Sequence, residues 1–203
     1  MRIGLDFDNT IISYDEVFQQ AAKRMGLIDP DLQGGKKAVR DAIRLRPDGE
    51  TDWQKLQGFV YGKGISAAKL VHGVDQFLTR CKAEGYPVVI VSHKTEFGHY
   101  DSDRVNLRDA ALSWMESQGL LSGGFGIEKV YFESTREEKL GRIASLGFTY
   151  FVDDLEEVLT DPGFPRSVSG LLYAEGSAVR ADAPYMICPS WRHIEEKIFD
   201  ARS

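Results

Sequence analysis

Cysteine is scarce in this chain. Cys81 and Cys188 are the only two among 203 residues, and they form neither a C-x-x-C pair nor the spacing of a secreted disulfide framework. A reducing, cytoplasmic location is therefore expected. Long apolar runs are also missing. None approaches the ~18 residues of a membrane span, and Asp6 and Asp8 interrupt the one early apolar stretch. Neither a signal peptide nor a membrane partner is expected. Basic residues are outnumbered, 25 Lys and Arg against 31 Asp and Glu, for a net charge of −6. That balance argues against a nucleic-acid polymer as partner. Compositional bias is absent too: 42% apolar and 28% charged residues exclude a collagen-like or wholly disordered chain.

What is present reads as alternating strands and helices. Five short apolar runs, 3–7, 88–91, 130–132, 150–152 and 171–174, have the length and flanking turn residues of buried parallel strands. Between them, apolar residues recur at helical spacing. Val74, Phe77, Leu78 and Cys81 share one face and stop at Gly85; Val105, Leu107, Ala111, Leu112 and Met115 stop at Gly119; Leu140, Ile143, Ala144 and Leu146 stop at Gly147. A last helix is expected over 191–199. This alternation predicts an α/β fold, a five-stranded parallel sheet flanked by helices and joined by right-handed crossovers. One interval breaks the rhythm, because about 80 residues separate the first strand from the second. The interval reads as helices near 15–25, 36–45 and 52–61. A small helical module is therefore expected at 13–72, inserted into a core made of 1–12 and 73–203. The module carries ten basic and eight acidic residues inside an otherwise acidic chain, a balance that can attract an anion.

In open parallel sheets ligands bind beyond the carboxyl ends of the strands. There the first strand runs into Asp6-Phe7-Asp8-Asn9-Thr10 and the second into Ser92-His93-Lys94. The third leads to a helix bearing Lys139, and the fourth ends in Asp153-Asp154. Each piece alone has an ordinary explanation, a turn, a helix cap or a solvated lysine. Together they gather four carboxylates, a hydroxyl and an ammonium on one edge. Four carboxylates repel one another unless a cation is present, and hard oxygen ligands suit Mg²⁺ with a substrate phosphate.

DFDNT, the apolar run into Ser92, Lys139 and FVDD resemble the four motifs of the haloacid dehalogenase (HAD) superfamily, largely Mg²⁺-dependent phosphatases. The likeness covers 1–12 and about 73–175, and the place of the insertion matches that superfamily's C1 helical cap. It implies a Rossmann-like core and a phosphatase acting on a small phosphomonoester through an aspartyl-phosphate. It further implies Asp6 as nucleophile and Asp8 as general acid and base. Ser92 and Lys139 would bind phosphate. The metal would be held by Asp6, the backbone carbonyl of Asp8, and Asp153, with Asp154 or Glu157 assisting. From their place beyond the strand ends, Asn9, Thr10, His93 and Lys94 are the candidate substrate contacts. Two departures stand out: Asn9 occupies a position where Gly is more usual, and Lys139 precedes Asp153 by only fourteen residues. Lys94 and Lys129 are rivals for the lysine role, but only Lys139 begins a helix after strand three. That helix has capping-box candidates in Ser134 with Glu137 and Thr135 with Glu138.

The expected partner is a small phosphorylated metabolite, and the expected assembly a monomer or homodimer. Alternatives are a 5′-nucleotidase, a sugar phosphomutase, or a non-catalytic binding module on the same fold. Gly58…Gly62-Lys63 has the wrong spacing for a P-loop and lacks the following Ser or Thr. Trp53, Phe59 and Tyr61 fit a helical-module core better than a stacking surface. Asp101 and Asp103 are expected to cap the next helix. Arg40, Arg44, Arg46 and Lys63 are the module's candidates for facing an anion.

Overall fold

The computed structural model describes residues 1–121, 123–178 and 183–200. In chain order the elements are β1 (Ile3–Leu5), β2 (Ile12–Ser13), α1 (Asp15–Arg24), α2 (Lys36–Arg44), α3 (Gly49–Tyr61), a 3-10 turn at Lys63–Ala67 and β3 (Lys69–Leu70). They continue with α4 (Val74–Ala83), β4 (Val88–His93), α5 (Leu107–Ser117), β5 (Ile127–Glu133), α6 (Arg136–Ser145), β6 (Tyr150–Asp153), α7 (Glu156–Leu159), β7 (Ser169–Tyr173), β8 (Met186–Cys188) and α8 (Trp191–Phe199). No helix among the described residues is long and apolar enough to cross a membrane.

The main sheet has the order β5-β4-β1-β6-β7-β8, and every neighbouring pair in it is parallel. It has six strands where the sequence suggested five. The added strand, β8, is three residues long. Its pairing with β7, from Leu171 opposite Met186 to Tyr173 opposite Cys188, is what makes it a strand.

A parallel sheet must be covered on both faces, and the strand alternation supplies apolar side chains to each. Val89 and Val91 point into a cluster with Ile143, Phe148, Phe151, Leu159 and Leu172. Val88 and Ile90 point the other way and are equally buried. On that second side the rings of Phe77 from α4 and Trp191 from α8 meet at 5.0 Å, and Tyr173 of β7 packs 6.1 Å from Trp191. Gly73, the residue before α4, has φ of +90°, and a Cβ there would stand 3.0 Å from Trp191 Cβ. Glycine answers both the backbone sign and the close approach.

Contacts divide the chain into two compact units. One comprises 1–12, 70–94 and 119–203 and contains the six-stranded sheet; the other comprises 13–69 and 95–118. The second unit therefore includes α5 and the loop before it as well as the inserted helices. Its interior is aromatic: Phe18 stacks on Trp53 at 5.0 Å, and Tyr61 meets Tyr14 at 4.9 Å and Phe18 at 5.6 Å. Trp114 Nε1 of α5 donates to the Ala68 carbonyl at 3.1 Å. Gly58, part of the glycine-lysine run, is a packing residue: a Cβ on Gly98 would fall 2.7 Å from its Cα. The cap of α5 is Asn106, whose side chain accepts from the amides of Arg108 and Asp109. Asp101, expected as a cap, instead accepts from the amides of Asp103 and Val105 within the loop.

Trp191 also ties the sheet to the turn after β1, because its buried Nε1 donates to the Thr10 carbonyl at 3.1 Å. Trp191→Phe preserves most of the packing but leaves that carbonyl without its donor. It should lower unfolding stability by about 1–3 kcal/mol, measured by urea denaturation. A variant as stable as the parent would show that the bond contributes nothing.

Candidate active site

The three central strands set the level of the site. Leu5 of β1 lies opposite Ile90 of β4 and Val152 of β6, and the Asp6 amide donates to the Val152 carbonyl at 2.8 Å. One or two residues farther along each strand are Asp6, Ser92 and Asp153, which therefore emerge together at the carboxyl edge. Beyond Phe7 the chain turns back at once. The amides of Thr10, Ile11 and Ile12 all bond the Phe7 carbonyl, and Asn9 sits at φ 59°. This left-handed conformation suits Gly, and Asn is among the few other residues that adopt it readily. Asn9 thus meets the same backbone demand as the glycine expected at that position.

At the centre is a buried charge triad. Lys139 Nζ lies 2.7 Å from Asp6 Oδ1 and 2.6 Å from Asp153 Oδ2, and its side chain is 2% exposed. Ser92 Oγ donates to the same Asp6 oxygen at 2.9 Å. Asp153 Oδ1 in turn accepts from the Leu155 amide at 2.9 Å. The helix that delivers Lys139 is fixed by a capping box between Thr135 and Glu138, the second of the two expected pairings. Burial disfavours the Lys139 ammonium, but the charges of Asp6 and Asp153 outweigh that effect and raise its pKa above the ordinary lysine value. Burial also pushes Asp153 up to about 6, against the attraction of Lys139, and repulsion from Asp6 adds to the rise.

A second pair stands beside the first. Lys94 Nζ lies 3.0 and 2.8 Å from the two oxygens of Asp8. The Lys94 side chain is 2% exposed and that of Asp8 20%. Ser92 and Lys94 are two apart on one strand end and share a face, whereas His93 between them points away. His93 is exposed, with Nε2 3.0 Å from the Ser134 carbonyl. The sequence offered Lys94 as a substrate contact or a rival to Lys139. Its partnership with Asp8 was not anticipated, although the period-2 spacing from Ser92 carried the signal.

The remaining expected residues are distributed as follows. Thr10 is fully buried, and its Oγ1 has no hydrogen-bond partner. Asp154 is half-buried, and one carboxylate oxygen each from Asp6, Asp153 and Asp154 lie within 4.8 Å of one another. Glu157, the alternative to Asp154, is instead ion-paired with Arg136 on the surface and lies outside that group. Lys129 sits 4.9 Å over the Tyr131 ring. In the helical unit the proposed anion-facing cations have acidic partners: Arg40 with Asp41, Arg44 with Glu50, Arg46 with Asp52 and Lys63 with Asp103. The donor set of Asp6, Asp153 and Asp154 is all hard oxygen and close enough to share one small divalent cation, so it fits Mg²⁺ chemically.

No protein-family model matches the chain, and no curated protein matches it in sequence. Solved structures do. A predicted phosphatase from Clostridium acetobutylicum is similar with a TM-score of 0.59 at 16% identity, over 98% of both chains. A HAD family hydrolase from Deinococcus radiodurans R1, with bound phosphate and sodium, is similar with a TM-score of 0.55 at 14% identity, over 99% of this chain and 96% of that one. The Mycobacterium tuberculosis protein tyrosine kinase A is similar with a TM-score of 0.61 at 13% identity, over 97% of both. At these identities the likeness is one of fold: the chain has the Rossmann-like α/β fold of HAD-superfamily hydrolases, with a six-stranded parallel sheet.

Lys139→Met would leave Asp6 and Asp153 buried without their shared cation. A loss of about 3–5 kcal/mol at pH 7 is expected in metal-free buffer. The pH dependence has a definite sign. Because the folded pKa of Asp153 lies above its usual 3.8, its contribution is fully present below 3.8 and is lost as pH rises through about 6. In the variant the missing ammonium moves that loss to higher pH. The deficit should therefore be largest near neutrality and shrink on acidification, as read by urea unfolding between pH 4 and 8. A deficit independent of pH would contradict the buried-charge account.

Proposed function

We propose that this protein is a metal-dependent phosphomonoesterase of the HAD type, using Asp6 as nucleophile and Mg²⁺ as cofactor. The observation that carries the reading is the placement of two donors, Ser92 Oγ and Lys139 Nζ, on one oxygen of Asp6, with Asp8 following two residues later. Both donors fall on Oδ1, so Oδ2 is the oxygen with lone pairs to offer an electrophile. The match in fold to a predicted phosphatase and to a hydrolase with bound phosphate supports the same reading.

The chemistry divides among the side chains. Asp6 Oδ2 attacks phosphorus as the ester P–O bond breaks, and Asp8 gives its proton to the departing oxygen. Asp8, now a carboxylate, takes a proton from water as that water attacks phosphorus. The bond from phosphorus to Asp6 breaks, inorganic phosphate leaves, and Asp6 is regenerated as a carboxylate. Ser92 and Lys139 hold the non-bridging oxygens, where negative charge gathers in the transition state. Mg²⁺ held by Asp6, Asp153, the Asp8 carbonyl and Asp154 would supply the positive charge that lets an anionic ester approach an anionic nucleophile. The buried Asp6–Lys139–Asp153 arrangement keeps these groups oriented and restricts water at Asp6.

The substrate proposed is a small phosphorylated metabolite. The helical segment follows the strand carrying Asp6 in the chain, which supports its reading as a substrate-selecting cap. Release of inorganic phosphate from a panel of phosphorylated metabolites tests the hydrolase reading. A mutase would rearrange sugar phosphates without releasing phosphate, and a binding module would turn over none.

Asp6→Asn should abolish turnover with the fold intact, because the amide is nearly isosteric but not nucleophilic. Asp8→Asn should lose roughly 10²-fold or more on alkyl phosphates and distinctly less on p-nitrophenyl phosphate, whose leaving group needs little protonation. Steady-state kinetics on both substrate types checks this, and equal losses would remove Asp8 from the acid role.

Asp153→Ala should weaken the apparent affinity for Mg²⁺, with partial recovery of activity at high Mg²⁺. In the parent protein that affinity should fall as pH drops below about 6, where Asp153 takes up a proton in competition with the metal. Titration calorimetry reads both effects, and an unchanged affinity in Asp153→Ala would move the ligand role elsewhere.

A further inference from the structure

We propose that Lys94 is a positioning residue for Asp8, holding its carboxylate where the ester oxygen departs without itself touching the substrate. The inference rests on the phosphatase reading above and adds a residue to it.

Asp6 and Asp8 are two residues apart, yet they are served by different cations. Lys139 bridges Asp6 and Asp153, whereas Lys94 binds Asp8 through both carboxylate oxygens, at 3.0 and 2.8 Å. A contact to both oxygens fixes the rotation of the carboxylate as well as its position. Asp8 stands on the turn after β1, half-buried and in an isolated bridge with Ile12, so its carboxyl group lies beyond the paired strand.

Lys94 can hold that group because it is itself immobilised. Its amide donates to the Glu133 carbonyl at 2.9 Å, extending the β4–β5 ladder beyond the paired His93 and Glu133. Its ammonium lies 5.7 Å from the centre of the Phe7 ring. A surface lysine loses much rotamer entropy when it holds a partner. Here burial has already removed that freedom, so the ammonium acts as a fixed point against which Asp8 is set. A carboxylate that swings between rotamers spends less time in hydrogen-bond reach of the leaving oxygen, and even a small misplacement lowers the rate.

The test is a double-mutant cycle of Asp8→Asn, Lys94→Met and the pair, measured on an alkyl phosphate and on p-nitrophenyl phosphate. Thermal melts confirm the fold, and Lys94→Gln replaces the methionine variant if that one does not fold. Lys94→Met should lower kcat about 10-fold or more while KM stays within about twofold, with a smaller loss on p-nitrophenyl phosphate. The double variant should be no slower than Asp8→Asn alone, because a residue acting through Asp8 has nothing left to position. Lys94→Arg should recover part of kcat. A raised KM with kcat unchanged, or losses that multiply in the double variant, would make Lys94 a direct substrate ligand and overturn the positioning role. A parent protein that releases phosphate from no ester would overturn the phosphatase reading and this role with it.

Discussion

The ammonium of Lys139 between Asp6 and Asp153 is the contact on which the site depends. Three ionisable groups lie almost entirely out of water, a costly arrangement unless each charge faces an opposite one. The net charge of the triad is negative; burial raises the pKa of Asp153 to about 6 against the attraction of Lys139, and repulsion from Asp6 adds to the rise. A site under that tension is suited to take up a cation. Without one, part of the folding free energy is spent holding two carboxylates near each other.

The sheet makes the arrangement possible. β1, β4 and β6 are adjacent and parallel, so their carboxyl ends open on the same side, and the register brings Asp6, Ser92 and Asp153 to one level. Layers on both faces pack against the central strands, and Trp191 ties the turn carrying Asp8 and Asn9 to them through its bond to Thr10. The two acids differ accordingly. Asp6 is buried and shares its cation with Asp153, while Asp8 is half-buried and has Lys94. On the proposed reading this separation suits a nucleophile that must stay put and an acid that must exchange a proton with the leaving group and then with water.

Much of this could be read in the sequence, for physical reasons. Buried parallel strands are nearly continuous apolar runs, and 3–7, 88–91, 150–152 and 171–174 stood out for that reason, whereas 130–132 lies on the half-exposed edge strand β5 and stood out by its apolar run alone. β8 did not: Met186–Cys188 is no shorter than some of those runs, and it is its pairing with β7 that makes it a strand. The carboxyl-edge residues were legible because each follows its strand directly, and Lys139 because a capping box marks the helix start. The Lys94–Asp8 pair spans 86 residues: the period-2 spacing from Ser92 puts Lys94 on the site's face, but the partner depends on strand order, which no local pattern encodes. The cap of α5 was misassigned because Asp101 serves the loop amides that Asn106 left available.

The central claim is that Asp6 attacks phosphorus. Borohydride reduces an acyl phosphate to an alcohol, so quenching the protein during turnover of a phosphate ester and mapping peptides by mass spectrometry locates the bond. Homoserine at position 6, formed only with substrate and Mg²⁺ and absent from Asp6→Asn, is the result expected. Continued phosphate release with no reduction product at position 6, or with the product at Asp8 or Asp153, would contradict it.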